Sequence, residues 1–253
     1  STVLFFVYLG DGILSDWAPA FVQESMGGSL LMGIVISFSS LVGFVADLVL
    51  PQFLKKVNVR KMIVLAIGSS LIFCGILYWT TWWPWVVLFL AAMAVWGVYY
   101  EFLGFGGQQF VSETIPAHAR AGAWAVLGAF RGLAYFLGPL LGSYLAISKG
   151  NRYVVVTAAV MVLIGYLFWL LSGGKGKNEV VVEEPEQVSI FVEAKHWWML
   201  LRYVWPVVVI SLSLGILDAT FWTTGTVFSD NLARSSAWGG WFLPLYELPM
   251  VVT

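Results

Sequence analysis

Six ionisable side chains lie inside long apolar runs of this sequence, where they could do chemistry. They are Asp11, Asp16, Glu101, Arg131, Asp218 and Glu247. An ionisable group at the centre of a membrane-length helix costs roughly 2.5–3.5 kcal/mol on insertion scales, so such groups usually face a cavity or a partner. A carboxyl group in an apolar cavity can carry a proton at neutral pH, which makes Asp11, Glu101 and Asp218 our candidates for proton coupling.

Glu101 and Arg131 can be matched by depth. Glu101 lies eleven residues before Ser112, and Arg131 lies eleven residues after Arg120. At a rise of 1.5 Å per residue, both side chains are about 16 Å from the same end of two consecutive helices. We therefore predict an ion pair, which would serve either as a substrate or proton site or as a structural link. We expect Glu101→Gln to destabilise or inactivate the protein, because it would leave Arg131 buried and unpaired.

A short sequence repeat, which we call the echo, relates two distant parts of the chain. Residues 12–16 read Gly-Ile-Leu-Ser-Asp and residues 215–218 read Gly-Ile-Leu-Asp. Further along, Ser29 and Gly33 match Ser236 and Gly240. About six membrane-length segments fit between the two copies, so the copies would run parallel, and the echo indicates a half-repeat.

The echo also selects one face of the first helix. Asp11 and Asp16 are five residues apart and point roughly 140° away from each other, whereas Asp11 and Ser15 share a face. Ser15 corresponds to Asp218, so we predict that Asp11, Ser15 and Asp218 look into a central cavity. Asp16 would then meet a neighbouring helix or the outer gate. In the alternative interpretation, both aspartates are helix-break or interfacial residues.

Other polar and aromatic residues in the apolar runs give weaker signals. Gln108 could bind a polar substrate, as could its neighbour Gln109, although a place near the inner interface fits them better. Glu247 is a candidate cavity residue in the last run. Three aromatic residues could stack on a ligand, but we expect them to pack between helices or contact lipid. They are Trp96, Tyr99 and Tyr100.

The composition identifies lipid as the solvent of this chain. Hydrophobic residues make up 60% and charged residues 11% of the sequence, against about 45–50% and about 25% in soluble domains. The net charge of −1 gives no reason to expect a nucleic-acid partner. A single cysteine, Cys74, and two histidines make a disulfide or a metal site unexpected. We predict no cofactor, and no motif indicates catalytic residues.

Eight apolar runs are long enough to cross a membrane as helices, which need about 20 residues each. The predicted fold is therefore all-α, a polytopic helical membrane protein. The runs are 2–23, 29–51, 61–80, 85–110, 122–147, 153–172, 203–228 and 237–253.

Positive charge predicts the orientation of these helices. One set of alternate connections carries nine basic residues: Lys55, Lys56, Arg60, Lys61, Arg120, Lys175, Lys177, Lys195 and Arg202. The opposite set carries three: Lys149, Arg152 and Arg234. The positive-inside rule places the richer side, the N-terminus and the central linker in the cytoplasm. We expect a monomer in the lipid bilayer of the plasma membrane, the inner membrane in a bacterium.

The longest connection divides the chain. We predict a six-helix bundle over residues 1–172, a cytoplasmic linker over 173–201 and the first two helices of a second bundle over 202–253. Residues 173–178 are rich in glycine and lysine and read as a flexible tether. Residues 188–201 mix apolar and charged positions and could form a short amphipathic helix on the membrane surface.

Three motifs resemble those of the major facilitator superfamily. Gly43-Phe44-Val45-Ala46-Asp47 followed by Arg60-Lys61 is similar to the family's cytoplasmic loop signature, though with a longer spacing and without its central glycine. Residues 112–122 are similar to the connection between the fourth and fifth spans. Gly138-Pro139-Leu140-Leu141-Gly142-Ser143 resembles a fifth-span signature, with Ser143 in place of the last glycine.

The resemblance implies a fold and a function. It implies a six-helix bundle plus the start of a second, and thus a fragment covering about the first eight of twelve helices. Gly43, Asp47, Arg60 and Lys61 would form a cytoplasmic gating motif, while Gly138, Pro139 and Gly142 would let helices pack closely. The implied function is secondary active transport of a small molecule by alternating access, with protons as a candidate coupling ion and export favoured. The alternatives are a membrane-embedded enzyme acting on a lipid-linked substrate, and a transporter-like receptor or scaffold.

Overall fold

The described part of the chain is helical and contains no strand. The computed structural model describes residues 2–53, 59–172, 190–236 and 238–252. The helices are α1 (Thr2–Met26), α2 (Ser29–Phe53), α3 (Val59–Thr80), α4 (Val86–Thr114), α5 (Arg120–Ser148), α6 (Asn151–Leu171), α7 (Ile190–Thr220), α8 (Thr226–Ser235) and α9 (Phe242–Val252). A π-turn over Phe221–Gly225 joins α7 to α8. The predicted all-α class is confirmed.

Six helical stretches of the described residues are long and apolar enough to cross a membrane. They are Ser29–Leu50, Val59–Thr80, Val86–Ser112, Ala117–Ser148, Asn151–Leu171 and Trp198–Ser235. Two of the eight predicted runs form helices that are not both long and apolar enough to be counted among these six stretches. The run 2–23 forms α1, whose aspartates and proline lower its mean hydropathy, and the run 237–253 contributes the 11-residue α9.

Helix α1 lies at the centre of the first segment, residues 2–172. It packs against α2, α5 and α6, and most of its length from Val7 to Val22 is buried. Its neighbours are protein rather than lipid on most sides. This placement explains how one helix can hold two buried aspartates, since surrounding helices can satisfy them.

The α1–α5 crossing depends on glycine. A Cβ added to Gly138 would lie 2.7 Å from the backbone carbon of Gly12, and one added to Gly142 would lie 2.9 Å from the Ile13 carbonyl oxygen. No side chain fits at these distances, so the two backbones are in direct contact. The segment that resembles the fifth-span signature therefore lies against α1.

The second segment, residues 190–252 as described, reaches the first through its later helices. Helix α9 packs on α5, and α8 packs on α1. Within α7, the described side chains from Trp198 to Thr220 are exposed except for a half-buried Val208. The predicted linker residues 173–189 and the basic residues Lys55, Lys56, Lys175 and Lys177 lie outside the described residues, and residues 190–201 belong to α7.

Candidate functional site

Asp11 is the most completely bonded acid of the described residues. It lies on α1, with 3% of its surface exposed. Its Oδ1 accepts a hydrogen bond from the indole N–H of Trp96 at 2.8 Å, and its Oδ2 accepts one from the Tyr100 hydroxyl at 2.6 Å. The Tyr135 hydroxyl also donates to Oδ2. We call these four side chains the Asp11 cluster.

Helical spacing explains how α4 and α5 supply these donors. Trp96 and Tyr100 are four residues apart on α4, so they project from one face. Tyr135 comes from α5, which the glycine contact brings close to α1. All three donors are neutral, and hydrogen bonds to an ionised acceptor are roughly twice as strong as bonds between neutral groups. The Asp11 cluster can therefore stabilise a carboxylate without an ion pair.

Arg131 lies beside the Asp11 cluster but is not paired with Glu101. Its guanidinium carbon is 5.5 Å from the ring centre of Tyr8 and 5.5 Å from that of Tyr135. It also interacts electrostatically with Asp11. No ion pair within 4.0 Å joins Arg131 and Glu101 in the described chain, so the predicted pair is wrong. Equal depth on consecutive helices does not bring the two side chains together, because Glu101 on α4 and Arg131 on α5 point towards different neighbours.

Glu101 instead meets Asp47 of α2. The two carboxyl groups lie within hydrogen-bonding reach, and a Cβ on Gly43 would be 3.1 Å from Glu101 Oε1. Gly97 brings α2 and α4 together, since its Cβ would fall 2.3 Å from the Ser39 carbonyl oxygen. The acid of the predicted gating motif therefore faces another acid.

The basic residues of the same motif lie at the start of α3. The Arg60 guanidinium carbon is 5.7 Å from the ring centre of Trp169 on α6. Lys61 is exposed. Lys61 forms no ion pair with Asp47 among the described residues.

Asp16 meets α5. It is buried, and its Oδ2 accepts a hydrogen bond of 2.9 Å from the hydroxyl of Ser143. Ser143 is the residue that replaces the last glycine of the fifth-span signature. The substitution supplies Asp16 with a donor at the point where Gly142 allows close approach.

The structure does not join Asp218 to the Asp11 face. Ser15 is buried on α1, whereas Asp218 is exposed on α7 and accepts a hydrogen bond of 3.1 Å from Tyr246 of α9. No hydrogen bond or ion pair links it to Asp11 or Ser15 within the described ranges. Glu247, next to Tyr246, is buried and interacts electrostatically with Arg131. Gln108 is exposed and Gln109 is half-buried near the end of α4.

The tyrosines around Asp11 were the main residues that sequence reasoning missed. The sequence predicts packing or lipid contact for Trp96 and Tyr100, and it carries no prediction for Tyr8 or Tyr135. One signal was available: Tyr135 lies four residues after Arg131, on the same face of α5. A polar aromatic residue one turn from a membrane arginine is a reasonable partner for a buried acid.

The second segment touches this site through the π-turn. The Trp222 ring lies 5.5 Å from the Tyr135 ring at 61°, an edge-to-face contact.

A separate cavity of about 260 Å³ lies at the C-terminal end of α1, lined by Trp17, Glu24, Asn151, Asp230 and Arg234 among others. There Arg234 of α8 is 3.7 Å from Glu24 and donates to Asp230 at 2.9 Å. The two segments therefore meet at the Asp11 cluster and again at this end.

These features define a class of protein. Membrane-length helices packed around a central helix with internally satisfied acids are typical of polytopic integral membrane proteins. The sequence model of the Major Facilitator Superfamily matches residues 3–253, and the chain belongs to that family. The family consists of membrane transporters. Among curated proteins, none matches the chain.

Proposed function

We propose that the protein is a secondary active transporter that moves a small molecule by alternating access and couples the movement to protons at Asp11. The observation that carries this proposal is the contact chain from Asp11 through Tyr135 to Trp222. It connects a buried carboxylate of the first segment to a residue of the second. Movement between the two halves is the basis of alternating access.

The proposed proton step uses the donors of the Asp11 cluster. The three donors favour the ionised form of the carboxylate, while its burial favours the protonated form. If the second segment moves and Trp222 leaves Tyr135, the Tyr135 hydroxyl is freer to turn away. A buried carboxylate that loses a donor is then stabilised by taking up a proton. Proton uptake and segment movement would in this way favour each other.

A proton-flux measurement tests this proposal. We expect Asp11→Asn in the full-length protein to abolish substrate-driven proton movement in proteoliposomes, because the amide cannot exchange a proton. Asp16→Asn is the matched comparison, since Asp16 is a buried acid of the same helix with a different partner. Coupling that survives Asp11→Asn, or that is lost only in Asp16→Asn, would contradict the assignment.

Tyr135→Phe tests the donor separately from the acid. The variant keeps the ring between Arg131 and Trp222 but removes the hydroxyl, so we expect flux with an altered dependence on pH. Tyr144→Phe on the same helix is the control, because its side chain is exposed. An identical pH profile for Tyr135→Phe and the unmodified protein would show that the hydroxyl does not tune Asp11.

Orientation and direction belong to the same proposal. The bias of basic residues supports a cytoplasmic N-terminus and central linker in the plasma membrane, and the fifth-span signature favours export. Cys74 is the only cysteine and is buried. Single cysteines introduced at Ala117 and Gly150 in a Cys74→Ser background should label from opposite sides, and labelling from one side only would refute the topology.

A further inference from the structure

Arg131 holds a guanidinium whose hydrogen-bonding groups are not used within the described residues. Its residue surface is exposed, and it makes neither a hydrogen bond nor an ion pair within 4.0 Å with the described chain. What holds it is the pair of rings at 5.5 Å, Tyr8 from α1 and Tyr135 from α5. The side chain is thus positioned by aromatic contacts that leave its N–H groups available.

Asp11 does not consume these N–H groups. Its two oxygens already accept bonds from Trp96, Tyr100 and Tyr135. An arginine that only balanced the charge of this aspartate would be expected to bond to it directly. The neutral donors satisfy Asp11 and leave the N–H groups of Arg131 unused by this aspartate.

Glu247 is an acid of the second segment that lies within electrostatic range of Arg131. It is buried on α9, which packs on α5, and it interacts electrostatically with Arg131 without a direct ion pair. The structure therefore places a carboxylate near the guanidinium but out of bonding distance. A ligand with its own acidic group could bond to the guanidinium and compete with the electrostatic influence of Glu247.

We propose that Arg131 binds an anionic group of the transported molecule, so that the substrate carries a carboxylate or a phosphate. This proposal rests on the transport function proposed above. The planar guanidinium suits either group, because both accept two parallel N–H bonds. Glu247 balances the charge of Arg131 when the site is empty, and Tyr8 and Tyr135 fix the plane of the guanidinium.

Matched ligand pairs provide the test. The full-length protein in lipid nanodiscs is exposed to benzoate and benzamide, to phenyl phosphate and phenol, and to benzylammonium. Binding is followed by thermal shift, since a ligand that prefers the folded state raises its stability. We expect an anionic member to bind and its neutral counterpart to bind at least about tenfold more weakly. The two anions distinguish a carboxylate site from a phosphate site.

Variants assign that binding to Arg131. Arg131→Gln should weaken anion binding about tenfold or more. Arg131→Lys should retain part of the binding, because the ammonium keeps the positive charge but lacks the two parallel N–H donors of the guanidinium. Glu247→Gln should strengthen anion binding, because it removes the competing carboxylate. Arg152→Gln is the control, since Arg152 is held over the ring of Trp82, 3.6 Å from its centre, at the start of α6.

Several outcomes would overturn the proposal. They are equal binding of neutral or cationic members, no Arg131-dependent binding of either anion, and unchanged or weaker anion binding in Glu247→Gln. The last variant keeps the proposal open to refutation even if Arg131→Gln fails to fold. Counterflow in proteoliposomes distinguishes failure of the anion site from failure of the transport function. Flux of a neutral or cationic compound that is unchanged in Arg131→Gln would reject the anion site alone. Arg131-dependent anion binding without any flux would reject the transport function alone.

Discussion

At the scale of single residues, the partner of Glu101 changes what its substitution should do. The sequence predicted a pair with Arg131, and hence a loss of stability in Glu101→Gln. In the structure Glu101 faces Asp47, so glutamine would replace one of two adjacent acids by a hydrogen-bond donor. Removal of a like charge at such a site favours the folded state.

We therefore expect Glu101→Gln to be as stable as the unmodified protein or more stable. Thermal unfolding in detergent at neutral pH measures the effect. The control is Glu101→Ala, which removes the charge without supplying a donor and should be less stable than Glu101→Gln. A clear fall in the unfolding temperature of Glu101→Gln relative to Glu101→Ala would contradict the Asp47 contact.

The charged residues of the site are predictable from the sequence, but their hydrogen-bond partners are not. Asp11 and Arg131 could be selected from the sequence, because charge in an apolar run is rare and costly. Their partners could not, because a donor such as Tyr100 or Tyr135 looks like any other packing aromatic. Which face of α4 meets which face of α1 depends on helix rotation, and a single sequence does not specify it.

At the scale of helices, the α1–α5 contact should be intolerant of added volume. Gly138→Ala would bring its Cβ 2.7 Å from the Gly12 backbone, and backbone cannot yield as a flexible side chain can. Overpacking of this kind typically costs about 1–3 kcal/mol. The crossing also positions Tyr135 and Ser143, so the same change should disturb both bonded aspartates.

Gly128→Ala on the same helix is the matched control, because nothing lies within 4 Å of the added Cβ. We expect Gly138→Ala to lower the unfolding temperature and the yield of folded protein, while Gly128→Ala leaves them unchanged. Equal behaviour of the two variants would mean that α1 and α5 are not in backbone contact.

The helix ranges were the most predictable feature of the chain. Six predicted runs of the first segment each form one helix, because membrane-length apolar runs have few other ways to satisfy their backbone in lipid. The π-turn was not predictable from residue types. Its sequence, Phe-Trp-Thr-Thr-Gly, carries no proline and fits an ordinary helix.

At the scale of the whole molecule, the two segments are also joined by an ion pair at the C-terminal end of α1. Arg234 and Glu24 have side chains 59% and 66% exposed, and the Arg234–Glu24 distance is 3.7 Å. Exposed pairs contribute about 0–1 kcal/mol, so this contact should hardly affect stability. Its expected role lies in the balance between open and closed arrangements of this end.

We expect Glu24→Gln to change the unfolding temperature little but to increase the labelling of a cysteine placed at Ala20, which lines the nearby cavity. The comparison is the same cysteine in an otherwise unmodified Cys74→Ser background. Salt should reproduce part of the effect, because it screens exposed charges. Unchanged labelling in Glu24→Gln would show that the ion pair does not hold this end closed.

The π-turn has a consequence for how residues of the second segment find their partners. A π-turn carries one residue more than the ideal helix, so every side chain beyond it is rotated by about 100° relative to an uninterrupted helix. Arg234 lies beyond the π-turn and reaches Glu24 of α1 from that rotated position. Deletion of one threonine from the π-turn would leave α7 as it is, yet would turn Arg234 away from Glu24. The direction in which the side chains of α8 point is thus set by the one extra residue of the π-turn.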